Sequence, residues 1–322
     1  MTVPAFSVVI PQGSKGELGG MAPEEVVGRL VRYGRLAEGL GFRGGWIYDH
    51  FLSWPFDVPE PVLEAWVTLA TLAREVPGLR VGTMVTCVGY RNPALLAKMA
   101  CSLDLLSGGR LDLGLGAGWY RREYLAYGYE YEPDGVRARR LLETTELLLQ
   151  MWRGEPTTYR GTLVETSEAL CLPRPVQRPH PPLWIGGSGE KTILRAAARH
   201  ADAWNLSGPT VEEFRRKTRV LTEWCERFDR DPSRVVRSIE LECLLTERPA
   251  HIGRLLEERA SRLGKPEEEI AERHLVGLPE QIAERIEVYA GLGAEHFILW
   301  FPDAPDTETM EAFSESVMPL LQ

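Results

Sequence analysis

Eight short runs rich in β-branched and aromatic residues recur along the chain, each followed by a segment of helical period, and few folds accept that alternation. The runs are AFSVVI (5–10), GGWIYD (44–49), LRVGTMVT (79–86), LDLGLG (111–116), PLWIGG (182–187), DAWNL (202–206), SIELECLL (238–245) and EHFILWF (295–301). Between them, Val26, Val27, Leu30, Val31, Ala37 and Leu40 recur at three- and four-residue steps. Leu95, Leu96, Met99, Ala100, Leu103 and Leu106 do the same, as do Leu141, Leu142, Thr145, Leu148, Leu149 and Trp152. Such spacing predicts helix faces that pack on a sheet. Strand–helix alternation implies right-handed βαβ units, and eight of them close into an α/β fold, the (β/α)8 TIM barrel, with every strand's C-terminal end on one rim. A doubly wound open sheet competes, but PQGSKGELGG after the first run is not the GxGxxG fingerprint of that fold.

The whole chain, 1–322, is predicted to be a single barrel domain with two enlargements. An extended insertion after strand 4, at 117–181, holds a helix and then TTYRGTLVETSEALCLPRPVQRPHPP, which predicts a short hairpin and a proline-stiffened excursion over the rim. Long ordered excursions serve as lids or oligomer contacts. A helical insertion after strand 7, at 247–278, is highly charged and reads as a solvated flap.

Composition narrows the function. The 322 residues carry a net charge of -9 and no Lys/Arg-rich block, which argues against a nucleic-acid partner. No apolar run approaches bilayer length, and MTVPAFSVVIPQGSKG has no basic n-region, so the expectation is a cytoplasmic protein with no membrane contact. Cys87, Cys101, Cys171, Cys225 and Cys243 are scattered without a CxxC pair, and the histidines show no HxH or HExxH spacing. Reduced thiols and no metal site are expected.

Chemistry gathers where the strands end. In GWIYDHFLSW an apolar run stops on Asp49-His50. An isolated Asp-His pair is ordinarily a helix cap and a surface imidazole. Here, though, Thr86–Pro93, Gly114–Trp119, Gly186–Glu190 and Trp204–Gly208 follow other strands onto the same rim. In GGSGEKTILRAAARHAD, Gly186, Gly187 and Ser188 would bring backbone N–H groups to a ligand, and a helix starting near Glu190 would aim its positive dipole there. The segment reads equally as a plain turn and helix start, with Lys191 and Arg195 either adding charge or merely solvated. GLGAGWYRREY has no phosphate-binding Lys; Gly116 and Gly118 either floor a slot for a flat ring or only relieve crowding. Trp119 and Tyr120 would wall the slot, and Glu123 would accept hydrogen bonds from loop backbone. A phosphate cup beside a flat slot points to a ring-bearing phosphorylated cofactor.

Taken in order, IYDHF, VGTMVTCVGYRNPALLAKM, LDLLSGGRLDLGLGAGWYRREY, LCLPRPVQRPHPPLWIGGSGE and HADAWN resemble the bacterial luciferase-like superfamily of flavin and deazaflavin barrel oxidoreductases, over about residues 5–208. The GAGW form and the LCLPRPVQRPHPPLWIGG run are most similar to members that use coenzyme F-420. The resemblance implies hydride transfer between this deazaflavin and a small organic substrate. The alternatives are an FMN-dependent two-component monooxygenase, served by a separate cofactor reductase, and a non-catalytic carrier. It implies a non-prolyl cis peptide near Met84-Val85, and cofactor contacts from Asp49, Met84, Val85, Thr86, Cys87, Gly116, Ala117 and Gly118. Glu123, Gly186, Gly187, Ser188 and Leu206 complete that set. His50 is the candidate for proton exchange, with a neighbouring carboxylate expected to raise its pKa, and Asp49 either orients it or bonds the ring system. Phe51, Trp54, Phe56, Trp119 and Tyr120 would wall the substrate pocket. Trp119 stands where the family's sugar-phosphate dehydrogenases have a proton-donating Glu, which favours a flat or apolar substrate over glucose-6-phosphate. Homodimerisation is expected by the same analogy.

Overall fold

The alternation closes on itself. In a computed structural model describing residues 3–55 and 59–322, the strands are β1 (Ala5–Val9), β2 (Gly44–Ile47), β3 (Arg80–Thr83), β4 (Thr86–Cys87), β5 (Leu111–Gly116) and β6 (Thr157–Arg160). They continue with β7 (Glu165–Ala169), β8 (Leu183–Gly186), β9 (Ala203–Ser207), β10 (Val236–Leu245), β11 (Leu275–Gly277) and β12 (His296–Trp300). The path β1–β2–β3–β5–β8–β9–β10–β12 returns to β1 through parallel pairs, a closed eight-stranded barrel. Its eight strands are the eight runs read from the sequence.

Two layers of core follow from the two faces of these strands. Outside, helix Pro23–Gly39 buries Val26, Leu30, Val31 and Ala37, and helix Pro93–Leu106 buries Leu96, Ala100 and Leu103. Val27, Leu95 and Leu106, expected on the same faces, are exposed, because an apolar residue beside a buried one lies about 100° round the helix. Inside the barrel, Trp46, Met84, Trp184, Ile298 and Trp300 pack together, with the Trp46 and Trp184 rings 4.6 Å apart. They fill the barrel below the rim.

The third predicted strand is interrupted. The Met84-Val85 peptide is cis and separates β3 from β4, both of which pair with β5. Val85 fills the space beside three glycines. A Cβ on Gly114 would lie 2.9 Å from Val85 Cγ1, one on Gly116 2.3 Å from Cγ2, and one on Gly186 2.8 Å from Cγ1. Bare backbone on the neighbouring strands thus makes room for this bulge.

The insertion at 117–181 contains the expected hairpin, β6 against β7, preceded by helices Arg121–Ala126 and Asp134–Met151. The insertion at 247–278 departs from a solvated flap. Its helices, Ile252–Leu263 and Glu267–Arg273, turn Ala260 and Ile270 onto Leu244, and β11 then extends β10. That packing carries Arg259 inward, 5% exposed, with Nε 2.7 Å from Glu242 Oε1. Among the described residues no helix is long and apolar enough to cross a membrane.

Gly114→Ala should destabilise the protein by about 1–3 kcal/mol, since the added Cβ would lie 2.0 Å from Thr83 O. Gly28→Ala, in an exposed helix interior with nothing nearer than 3.4 Å, should stabilise it by about 0.5–1 kcal/mol. Urea unfolding of the two variants checks both signs.

Candidate active site

A cavity of about 370 Å³ opens at the C-terminal ends of the strands, within the range of about 300–1,000 Å³ usual for small-molecule sites. Asp49 and His50 reach it from the end of β2, Met84, Val85 and Cys87 from the bulge, and Gly116, Ala117 and Gly118 from the end of β5. Gly186, Gly187, Ser188 and Leu206 line it from β8 and β9, and Trp54, Trp119 and Tyr120 form its aromatic wall.

Three expected residues stand elsewhere. Thr86 Oγ1 donates to Thr83 Oγ1 at 2.9 Å and lies buried in the sheet, because the bulge leaves Cys87, not Thr86, facing the cavity. Phe51 packs 4.7 Å from the Tyr90 ring and 4.5 Å from Tyr127, behind the wall. Glu123 is fully buried beneath the site and holds its histidine instead of a cofactor. Phe56 lies outside the described residues.

Glu123 organises the rim. Its Oε1 accepts the backbone N–H groups of Phe51 and Leu52 at 2.8 and 2.9 Å, the loop-amide role expected of it. Its Oε2 meets His50 Nδ1 and the Tyr90 hydroxyl, each at 2.9 Å. Burial opposes its ionisation, but the bonds from His50 and the loop amides prevail and hold its pKa below the usual carboxylate value. An ionised carboxylate only accepts, so the network assigns the proton to His50 Nδ1 and leaves Nε2 on the ring edge turned to the cavity.

Asp49 does not orient His50. Its carboxylate receives Arg91 at 2.5 and 2.8 Å and the Cys87 amide at 2.8 Å, which pins the backbone just past the bulge. Arg91 also reaches Glu64 Oε1 at 2.6 Å. Cys87 Sγ lies 2.9 Å from the Tyr124 hydroxyl, and burial pushes this thiol up to about 12, so it is no nucleophile near neutrality.

The glycine cup differs in detail from expectation. Gly187 takes φ +129°, a conformation that side-chain-bearing residues rarely adopt, and the helix begins at Ile193 instead of near Glu190. Among the described residues the amides of Ser188 and Gly189 have no protein acceptor. The cation at the cup is Lys217, whose Nζ donates to Ser188 O at 2.7 Å and Glu190 Oε1 at 2.9 Å. Lys191 is exposed, and Arg195 stacks 5.7 Å from the Trp224 ring centroid. Size, apolar bulge and open amides together suit a planar molecule with a phosphate tail.

Sequence reasoning missed Ser14, Lys15 and Glu240 in the lining. Glu240 was legible: Ser238, Glu240 and Glu242 alternate along β10 and so share its inner face. It accepts the Tyr48 hydroxyl at 2.6 Å and that of Ser207. Ser14 and Lys15 sit in a loop with no periodic signal. Among the described residues, no cluster of His, Cys, Asp and Glu could hold a metal.

The chain belongs to the luciferase-like monooxygenase family, whose profile matches residues 5–264. It is 26% identical to an F420-dependent glucose-6-phosphate dehydrogenase of Amycolatopsis mediterranei, covering 91% of this chain and 94% of that one. Its fold matches an F420-dependent secondary alcohol dehydrogenase, solved with an F420-acetone adduct, at a TM-score of 0.83 and 19% identity, over 99% of both chains. It also matches monooxygenase RslO1 from Streptomyces bottropensis at a TM-score of 0.80 and 23% identity, over 98% of this chain and 99% of that one.

Glu123→Gln should cost about 2–3 kcal/mol near neutrality, because glutamine keeps one accepting oxygen and cannot serve both the Phe51 and Leu52 amides and the His50 and Tyr90 donors. A carboxyl held below its unfolded value of 4.5 contributes stability that is complete above that pH and lost as pH falls through the lower folded value. The wild-type advantage should therefore shrink on acidification below about pH 4.5, as urea unfolding across that range would reveal.

Proposed function

We propose that the protein transfers a hydride between coenzyme F-420 and a small, flat organic substrate. The observation that carries this reading is an imidazole fixed by a buried carboxylate and presented to a cavity that also holds an apolar bulge and a phosphate-sized cup. The deazaflavin supplies the hydride acceptor or donor at its ring carbon. Gly186, Gly187 and Ser188 would hold its phosphate, and the Val85 bulge would support its ring.

The chain's own part is proton handling and enclosure. When an alcohol or amine is oxidised, His50 Nε2 takes the proton from oxygen or nitrogen as the hydride leaves the adjacent carbon; in the reverse direction the imidazolium returns it. Glu123 remains ionised and steadies the imidazolium, while Asp49 stays committed to Arg91 and the Cys87 amide. Trp119 stacks on Tyr120 at 5.2 Å and meets His50 and Trp54 edge-on at 5.7 and 5.2 Å. Those rings flank His50 and favour a flat partner.

Purified protein titrated with F-420 should show saturable tryptophan quenching; tight FMN binding with none for F-420 would replace this reading with the monooxygenase. His50→Ala should lower turnover on an identified substrate by about 100- to 10,000-fold while leaving coenzyme affinity within a few-fold. Unchanged turnover would remove His50 from the reaction.

A further inference from the structure

β1 and β8 stand four strands apart in the ring of eight, so the loop after β1 faces the glycine cup across the cavity. That loop presents donors that the proton-handling scheme does not use. Ser14 is 2% exposed, and among the described residues its Oγ has no hydrogen-bond partner, although it lines the cavity. Its carbonyl accepts the Trp54 N–H at 2.8 Å, which ties the loop to the aromatic wall. Next to it, Lys15 Nζ lies 5.0 Å from the Trp300 ring centroid, 5.2 Å from Tyr48 and 5.7 Å from Trp54. Rings hold a cation in place without satisfying its hydrogen bonds. Among the described residues this ammonium forms no ion pair with a carboxylate.

Glu17 and Glu242 act on it through space, without a direct ion pair among the described residues. Glu240 spends its two oxygens on Tyr48 and Ser207. Glu242 lies against Arg259, and Glu17 Oε2 accepts the Lys15 backbone amide, not its ammonium. Burial pushes the carboxyls of Glu17 and Glu242 upward, Glu242 to about 7, which thins the negative charge there near neutrality. A hydroxyl without a partner among the described residues and an ammonium held by rings, with no carboxylate in direct contact, are complementary to a carboxylate.

We propose that Ser14 and Lys15 anchor a carboxylate on the substrate, so that the molecule converted is a flat organic acid whose body lies against the tryptophans. This assignment rests on the hydride-transfer reading of the same cavity. Trp119 and Tyr120 select the planar part, and the loop after β1 selects the charge.

Calorimetric titration of the full chain with benzoate and with benzamide, with and without F-420, tests it. Wild type should bind benzoate about 10- to 100-fold more tightly than benzamide. Lys15→Met should abolish that preference while keeping the affinity for benzamide, which also shows that the cavity is intact; Lys15→Arg should retain part of it. Equal affinity for the two probes, no binding of benzoate, or a preference that survives Lys15→Met would each overturn the anchor. A benzoate preference that depends on Lys15 in a protein unable to bind F-420 would uphold the anchor and overturn hydride transfer from that coenzyme.

Discussion

One buried carboxylate holds the rim in register. Glu123 arrives on a short helix after β5, yet its partners belong to the loops after β2 and β4. Taking a charge out of water is costly unless it is met on every side, and here two amides, a phenol and an imidazole meet it. The loops that close the cavity are therefore coupled through one side chain. A second tie runs beside it, from Asp49 through Arg91 to Glu64. Adjacent residues at the end of β2 thus serve separate networks: Asp49 secures the bulge, and His50 is fixed by Glu123 at the cavity.

The barrel was legible because its signal is periodic. Alternating strands and three- or four-residue helix steps survive any detail of packing, and all eight runs reappear as barrel strands. The interruption at Met84-Val85 is not periodic and came only through resemblance; nothing in the residue types of LRVGTMVT marks it. Thr86 was misplaced for that reason, since the break inverts which side chain faces inward. Gly116 reads from sequence either as a floor for a ring or as relief from crowding; its missing side chain makes room for Val85, and its backbone lines the cavity. The charged insertion hid its inward-facing Arg259 because two-thirds of an amphipathic helix still looks solvated. Lys15 had no local signature at all, because the rings around it come from β2, the loop beyond it and β12.

The cavity's lining is distributed by strand. The glycine cup lies after β8, the carboxylate-held imidazole after β2 and the ring-held ammonium after β1, while Trp119 and Tyr120 follow β5. Each loop can change without disturbing the closed sheet below, as barrels permit.

The packed indoles of Trp46 and Trp184 have a kinetic consequence. They stopper the barrel from beneath, so the chamber is a blind sac with its doorway at the rim. For the coenzyme and substrate proposed above, a shared doorway would impose a queue: whichever lies deeper would board first and disembark last.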